Sequence, residues 1–284
     1  ILANPVPACK AVANGLAATI DQLTTLADET HPEGALDPEV IGRVGRIDAG
    51  RMLAGRLCNS NNPLREKMVF FLHDMFTAGV LKPMPDGLAG GYINALTDYA
   101  FGNARGLAET LTTNPLMMSY LHIYNSRAGA PNEDFPREFW ELFSLGRAND
   151  DGEGNYTQDD IRNSSRAFTG YSHLGNPMEP IFDADNYDAT DKIIFRGTPY
   201  EQEGNFDALD IVRVTYDHHP EAPRYLARRL LEFFVTRTPY IPHVDAVAQI
   251  LKDNDYEMLP AIRFILGSKL FFSTAMRRNV VKTP

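Results

Sequence analysis

A chain of 284 residues, 44% hydrophobic and 23% charged, is long enough to bury a full core as one large domain or two small ones. A formal net charge of -10 at pH 7 argues against a nucleic-acid backbone or an anionic membrane as the main partner and is compatible with cation binding. No apolar run reaches the roughly 18 residues that span a bilayer; the richest, 67–76, is short and broken by His73 and Asp74.

Helical periodicity dominates from the start. Over 8–26 the apolar residues Val12, Leu16, Ile20 and Leu23 recur every three or four positions and predict one buried face. The stretch 38–58 repeats the pattern with Val40, Ile41, Val44, Ile47, Leu53 and Leu57. Further helices are predicted over 63–78, 88–101, 106–111, 114–124, 136–145 and 157–169. From 171 to 204 the chain is rich in Gly, Pro, Asp and Asn, with β-like pieces at 180–182 and 192–195, which predicts a long excursion holding at most a small hairpin. Helices resume over 206–217, 221–236, 244–253 and 258–266. With no internal repeat and no low-complexity segment, the expectation is all-α: one irregular multi-helix domain over 1–284, with a loop-and-hairpin excursion near 171–204.

The chain begins at Ile1 rather than Met, which points to a processed or trimmed start and leaves a removed export signal open. Its two cysteines are Cys9 and Cys58. A disulfide closing a long loop would suit an exported protein, and two buried free thiols fit equally well.

The run RANDDGEGNYTQDDI, 147–161, places oxygen-bearing side chains at calcium-loop spacing between two predicted helices. The ligands would be Asn149, Asp151, Glu153, the Asn155 carbonyl, Thr157 and Asp160, with Gly154 at the sharp turn. Three positions depart from that pattern: Asn149 stands where Asp is favoured, Glu153 is longer than usual, and Asp160 is shorter than the Glu that binds bidentately. The other reading needs no ion. Thr157 caps the next helix and Asp160 closes a capping box, which stabilises the helix by about 1 kcal/mol. A second, weaker acidic loop offers Asp183, Asp185, Asp188 and Asp191, residue types that equally bond their own backbone in turns.

The helix at 136–145 is apolar nearly all round through Phe139, Trp140, Leu142 and Phe143, so Arg137, Glu138 and Glu141 are expected against core. Arg137 and Glu141 are one turn apart and can pair, whereas Glu138 needs an outside partner, for which Arg162 and Arg166 are the natural choices. Either this is a carboxylate site, with a glutamate as general base or metal ligand and His73 or His122 nearby, or it is a buried network fixing how two helices pack. The pair His218–His219 reads as a helix end leading to Pro220. Gly87 to Gly91 lack the spacing of a nucleotide loop, no nucleophile elbow is present, and neither cysteine has an activating environment.

Three segments together carry a resemblance: NEDFPREFWELFSLG at 132–146, YTQDDIRNSSRAFTGY at 156–171 and HPEAPRYLARRLLEFFV at 219–235. With 65–76 and 114–121 in the same order, they resemble the bacterial DUF1800 family, a domain of unknown function, from about residue 63 onward. The resemblance implies a mostly helical, often exported bacterial protein and supplies no established activity. Two departures from the family stand out. A single histidine, His73, stands where the family has a tryptophan and two histidines, and Tyr187–Asp188 replaces His-Asp ahead of Lys192. The chain also stops short of the family's usual C-terminal portion. The resulting expectation is a structural or interaction protein of an envelope or extracellular assembly, calcium-stabilised through the first loop and bound to other proteins. The alternative is a metal-dependent enzyme, hydrolytic or oxidative, built on Glu138 and Glu141 with Arg137, Arg166 and His73 or His122.

Overall fold

Five of the helix starts show how the sequence chose them. The computed structural model describes residues 15–24, 46–79, 88–175 and 178–276; Cys9 and the helical expectations at 8–14 and 38–45 lie outside the described residues. The helices, in chain order, are α1 (Leu16–Thr24), α2 (Arg46–Asn59), α3 (Pro63–Met75), α4 (Leu88–Asp98), α5 (Ala104–Thr112) and α6 (Pro115–Tyr120). Then come α7 (Asp134–Glu138), a π-helix (Phe139–Ser144) continuous with it, and α8 (Gln158–Ala167). After the excursion follow α9 (Ala208–His218), α10 (Glu221–Phe234), α11 (Ile241–Asp253) and α12 (Met258–Gly267). Asn62, Asn103 and Asn114 accept backbone hydrogen bonds at the starts of α3, α5 and α6, and proline follows directly in α3 and α6, where its missing N–H costs nothing. Full capping boxes open α8, from Thr157 and Asp160, and α9, from Asp207 and Asp210.

The excursion holds two hairpins where the sequence suggested at most one. Strands β1 (Tyr171–Leu174) and β2 (Glu179–Phe182) pair antiparallel with Tyr171 opposite Phe182. Strands β3 (Lys192–Ile194) and β4 (Gln202–Gly204) pair with Lys192 opposite Gly204. The β-like pieces expected at 180–182 and 192–195 are β2 and β3, one from each hairpin; their partners β1 and β4 show no signal because strands of three or four residues are too short to show a period of two. The first hairpin packs on α6 and the turn after it, the second on α8, so both sit on the helical body.

Two sets of helices make that body. In one, α3 packs against α1, α2 and α4; in the other, α10 runs along α11, which α12 closes together with α1. Between them lies an aromatic centre. Phe135 meets Phe168 with ring centroids 5.0 Å apart, Phe76 meets Phe143 at 5.4 Å, and Trp140 meets Phe195 at 5.2 Å. Trp140 is fully buried, as are Phe71, Phe76 and Phe139 to within 1%. Each ring taken from water stabilises the fold by about 2–3 kcal/mol. At the edge of this core, Glu66 on α3 is buried and ion-paired with Arg56 of α2 at 2.8 Å and with Arg65 at 3.3 Å. Such a pair fixes helix register more than it adds net stability.

Candidate functional site

The three segments quoted above meet in space around one turn of π-helix. Leu145 and Gly146 both donate their N–H to the Trp140 carbonyl, at 3.0 and 2.9 Å, and Ser144 Oγ donates to the Phe139 carbonyl at 2.7 Å. This wide turn places the Trp140 indole N–H 2.9 Å from Thr215 Oγ on α9. Gly146 ends the turn at φ +75, where a Cβ would also meet the Tyr225 ring at 3.2 Å, so the position requires glycine. Tyr225, on α10, donates its hydroxyl to the Leu142 carbonyl at 2.6 Å.

The acidic loop after the π-helix is then clamped from α10. Asp150 accepts from Arg224 and, at 2.5 Å, from Arg228. Arg224 also reaches Asp245 on α11 and Glu221 at 3.0 Å. Asn149 Oδ1 accepts from the N–H groups of Asp151 and Glu153 at 3.0 and 2.9 Å, folding the loop on itself. Asn155 is buried; its amide donates to the Leu145 and Gly146 carbonyls at 2.9 and 3.1 Å. The Asn155 carbonyl accepts from His219 Nε2 at 2.9 Å, while His219 Nδ1 accepts from Glu221 N at 3.1 Å. These two bonds fix the neutral tautomer with its proton on Nε2. Burial pushes the pKa of His219 down to about 4.

Asp160 is buried and engaged at both oxygens. One accepts from Thr157 N and Thr157 Oγ at 2.8 and 2.7 Å; the other accepts from Phe195 N at 2.7 Å and Arg196 N at 3.4 Å. Phe195 stands at φ 58, a strained position for an aromatic residue, and the carboxylate holds it there. Thr157 and Asp160 thus form the capping box, and in the calcium register Asn149, Asn155, Thr157 and Asp160 all direct oxygens to protein N–H or O–H groups. Among the described residues no group of three or more His, Cys, Asp or Glu side chains could hold a metal ion.

The second acidic run closes turns in the same way. Asp183 accepts from Asp185 N at 3.0 Å and from the Asn186 amide at 2.7 Å. Asp188 accepts from Arg166 Nε at 2.8 Å and from Thr190, and Arg166 also donates to the Asp191 carbonyl at 3.1 Å. The guanidinium beside Asp188 holds its carboxyl well below the usual carboxylate range. Next to it Lys192 is fully buried, its ammonium 2.6 Å from the Asp188 carbonyl and 3.3 Å from both Asn205 Oδ1 and the Tyr187 hydroxyl. All three acceptors are neutral groups, and burial lowers the lysine's pKa.

The carboxylates and bases singled out in the sequence do not converge. Arg137 pairs with Glu133 at 2.7 Å and donates to Gln158 at 3.2 Å, and Glu141 pairs with Arg147 at 2.6 Å; the expected Arg137–Glu141 pair does not form. The reason is geometric: the π-helix interrupts the α-helical turn that would align them. Neither Arg162 nor Arg166 serves Glu138, since the first binds Asp159 at 2.8 Å and the second Asp188. Glu138 makes no hydrogen bond or ion pair among the described residues, and burial, then Glu141 and Asp134, raise its pKa. Nor is the helix buried all round, because Leu142 is 46% exposed. His122, at φ 58, places Nδ1 2.8 Å from Asp134, and His73 places Nδ1 3.0 Å from the Tyr92 hydroxyl on a different helix. Cys58 is an exposed free thiol, and the question of its pairing with Cys9 lies outside the described residues.

Asp150 and Arg224 carry no mark in the sequence, His219 stands there only as part of a helix end, and Lys192 only beside Tyr187–Asp188. Asp150 lies one position off the calcium register, and the other three have no spacing signal. A groove of about 450 Å³ opens beside His219 and Arg224, between the end of α9, the start of α10 and α11, lined also by Asp217, His218, Asp245 and Lys252 among others.

A family model described as "Protein of unknown function (DUF1800)" matches residues 10–284, and the chain belongs to that family. The match begins well before residue 63, so the N-terminal helices are part of the family's domain. Comparison with curated proteins and with solved structures finds no match.

Proposed function

We propose that this member of the DUF1800 family is a structural or interaction protein of a bacterial envelope or extracellular assembly. The observation that carries the reading is the dispersal of the side chains capable of chemistry. Arg137, Glu141, Arg166, His73 and His122 each bind a different partner, and each of those bonds closes a local turn or joins two neighbouring elements. Acid–base or metal chemistry needs such groups within reach of one reacting atom. The outer surface offers material for contact: Leu174 and Ile181 are exposed on one face of the first hairpin, and Tyr240 and Ile241 are exposed at the start of α11. Export enters from the family resemblance.

One feature favours the alternative, an enzyme. His122 is held in a strained conformation by Asp134, one helical turn before the unpaired Glu138. Native mass spectrometry of the full chain separates the two readings. The structural reading expects a metal-free mass, a tagged chain that fractionates with the envelope or medium, and cross-links to a fixed set of neighbours in the source cell. Stoichiometric iron, copper or zinc, lost on Glu138→Gln, would establish the enzyme instead.

A further inference from the structure

His219 joins three segments that are distant in the chain. It caps the end of α9, is buried, and its ring lies against Phe195 and Tyr200 of the turn 195–200, with centroids 4.7 and 4.5 Å away. Its two nitrogens play opposite parts. Nε2 donates to the Asn155 carbonyl of the loop 147–157, and Nδ1 accepts from the first N–H of α10, that of Glu221. Only the neutral ring can do both. A proton on Nδ1 sets N–H against N–H at 3.1 Å and puts a cation at the start of α10, where the helix dipole opposes it. Turning the ring to relieve that contact gives up the Asn155 bond and the packing on Phe195, itself strained at φ 58. The carboxylates on the elements around the ring are already engaged. Asp160 of α8 accepts from Thr157, Phe195 and Arg196, and Glu221 binds Arg224 at 3.0 Å. In the loop, Asp150 binds Arg224 and Arg228, and Glu153 accepts from the Asn149 amide at 3.3 Å. On α9 itself, Asp217 pairs with Arg105 and His218 is exposed. Burial raises the pKa of the Tyr200 phenol, which is therefore neutral. Asp160 favours a charged His219 through space, and burial outweighs it.

We propose that His219 is an acid-released latch, whose protonation loosens the loop 147–157 and the turn 195–200 together while the helices behind them stay folded. The two segments move as one unit because Asp160 ties Thr157 of the loop to Phe195 of the turn, and His219 packs on both. The buried face of α3, with Met68, Val69 and Leu72, makes no use of the histidine. The sign follows from which form holds the proton better. Once loosened, the ring titrates at its ordinary 6.5; in place, it titrates at about 4. Acid therefore favours the loosened form, by about 20-fold between pH 7 and pH 5.

The test is hydrogen exchange of the full chain, followed by mass spectrometry at pH 7 and pH 5, with each rate divided by that of an unstructured peptide at the same pH. Protection at 147–157 and at 195–200 is expected to fall about 20-fold at pH 5, by the same factor in both segments, with α3 unchanged. His219→Gln keeps a donor for the Asn155 carbonyl and takes up no proton, so its protection should not fall in this way. Protection that holds in either segment at pH 5, an equal fall in His219→Gln, or an equal fall in α3 would overturn the proposal. If His219→Gln does not fold, the comparison of the two segments with α3 in the unaltered chain decides alone.

Discussion

Asp160 is where the two readings of the acidic loop make opposite predictions. Replacing it with alanine removes the acceptor for Thr157 N and for Phe195 N, at 2.8 and 2.7 Å, and leaves the second of these donors in the core. A buried N–H without a partner costs about 1–3 kcal/mol, and the lost half of the capping box about 1 kcal/mol. The expected destabilisation is therefore about 2–4 kcal/mol, a melting temperature lower by roughly 4–16 °C for a domain of this size. Thr157→Ala, which removes only the cap hydroxyl, should cost about 1 kcal/mol. The chain's single tryptophan is fully buried with its ring 5.2 Å from that of Phe195, so urea unfolding followed by tryptophan fluorescence reports on this region directly. Each variant is measured twice, in excess calcium and in chelator. A loss below about 0.5 kcal/mol would refute the argument, since that is the range of a surface substitution. So would a loss that appears only with calcium, because the oxygens would then be serving an ion.

Three further outcomes follow from buried or clamped charges. His219 has its pKa lowered from 6.5 to about 4, so the neutral form belongs to the folded state. Its contribution is fully present above pH 6.5 and is lost as the pH falls through 4. That loss amounts to about 3 kcal/mol, read as the difference in urea midpoint between the unaltered chain and His219→Gln at pH 7 and pH 4. Lys192, whose pKa is also lowered by burial, bears the cost of a buried cation at neutral pH and sheds it on deprotonation. Lys192→Met should thus lie within about 1 kcal/mol of the unaltered chain or above it at pH 7, and should lose the gain in stability that alkaline pH brings. Asp150→Asn, which weakens the grip of Arg224 and Arg228, should speed hydrogen exchange at residues 149–155 while changing global stability by about 1–2 kcal/mol.

The helical frame was legible because its signals are local. Asn62, Asn114 and Thr157 announce helix starts whatever the tertiary context, and Met68, Val69, Leu72 and Met75 on α3 show the spacing of a buried face. The reading of Thr157 and Asp160 as a capping box needed only those two residues. The π-helix left no such trace: Phe139 to Ser144 carry the composition of a buried α-helix, and the widened turn arises from what Trp140 and Gly146 meet on α9 and α10. Pairing at a distance was equally hidden. Asp150 binds α10 and His219 binds the Asn155 carbonyl, contacts 78 and 64 residues apart that no spacing rule reaches. Lys192 stood in the sequence only as the first residue of a β-like piece, and only the fold puts three oxygens around it.

The clamp on Asp150 has one more consequence. A loop that folds around a dissolved ion changes shape whenever the supply of that ion changes. Here the positive charge comes from Arg224 and Arg228, covalently part of the same chain, so it is present at fixed stoichiometry and cannot be washed out or chelated. Guanidinium also keeps its charge across any physiological pH. The segment between the π-helix and α8 is therefore indifferent to the mineral content of its surroundings.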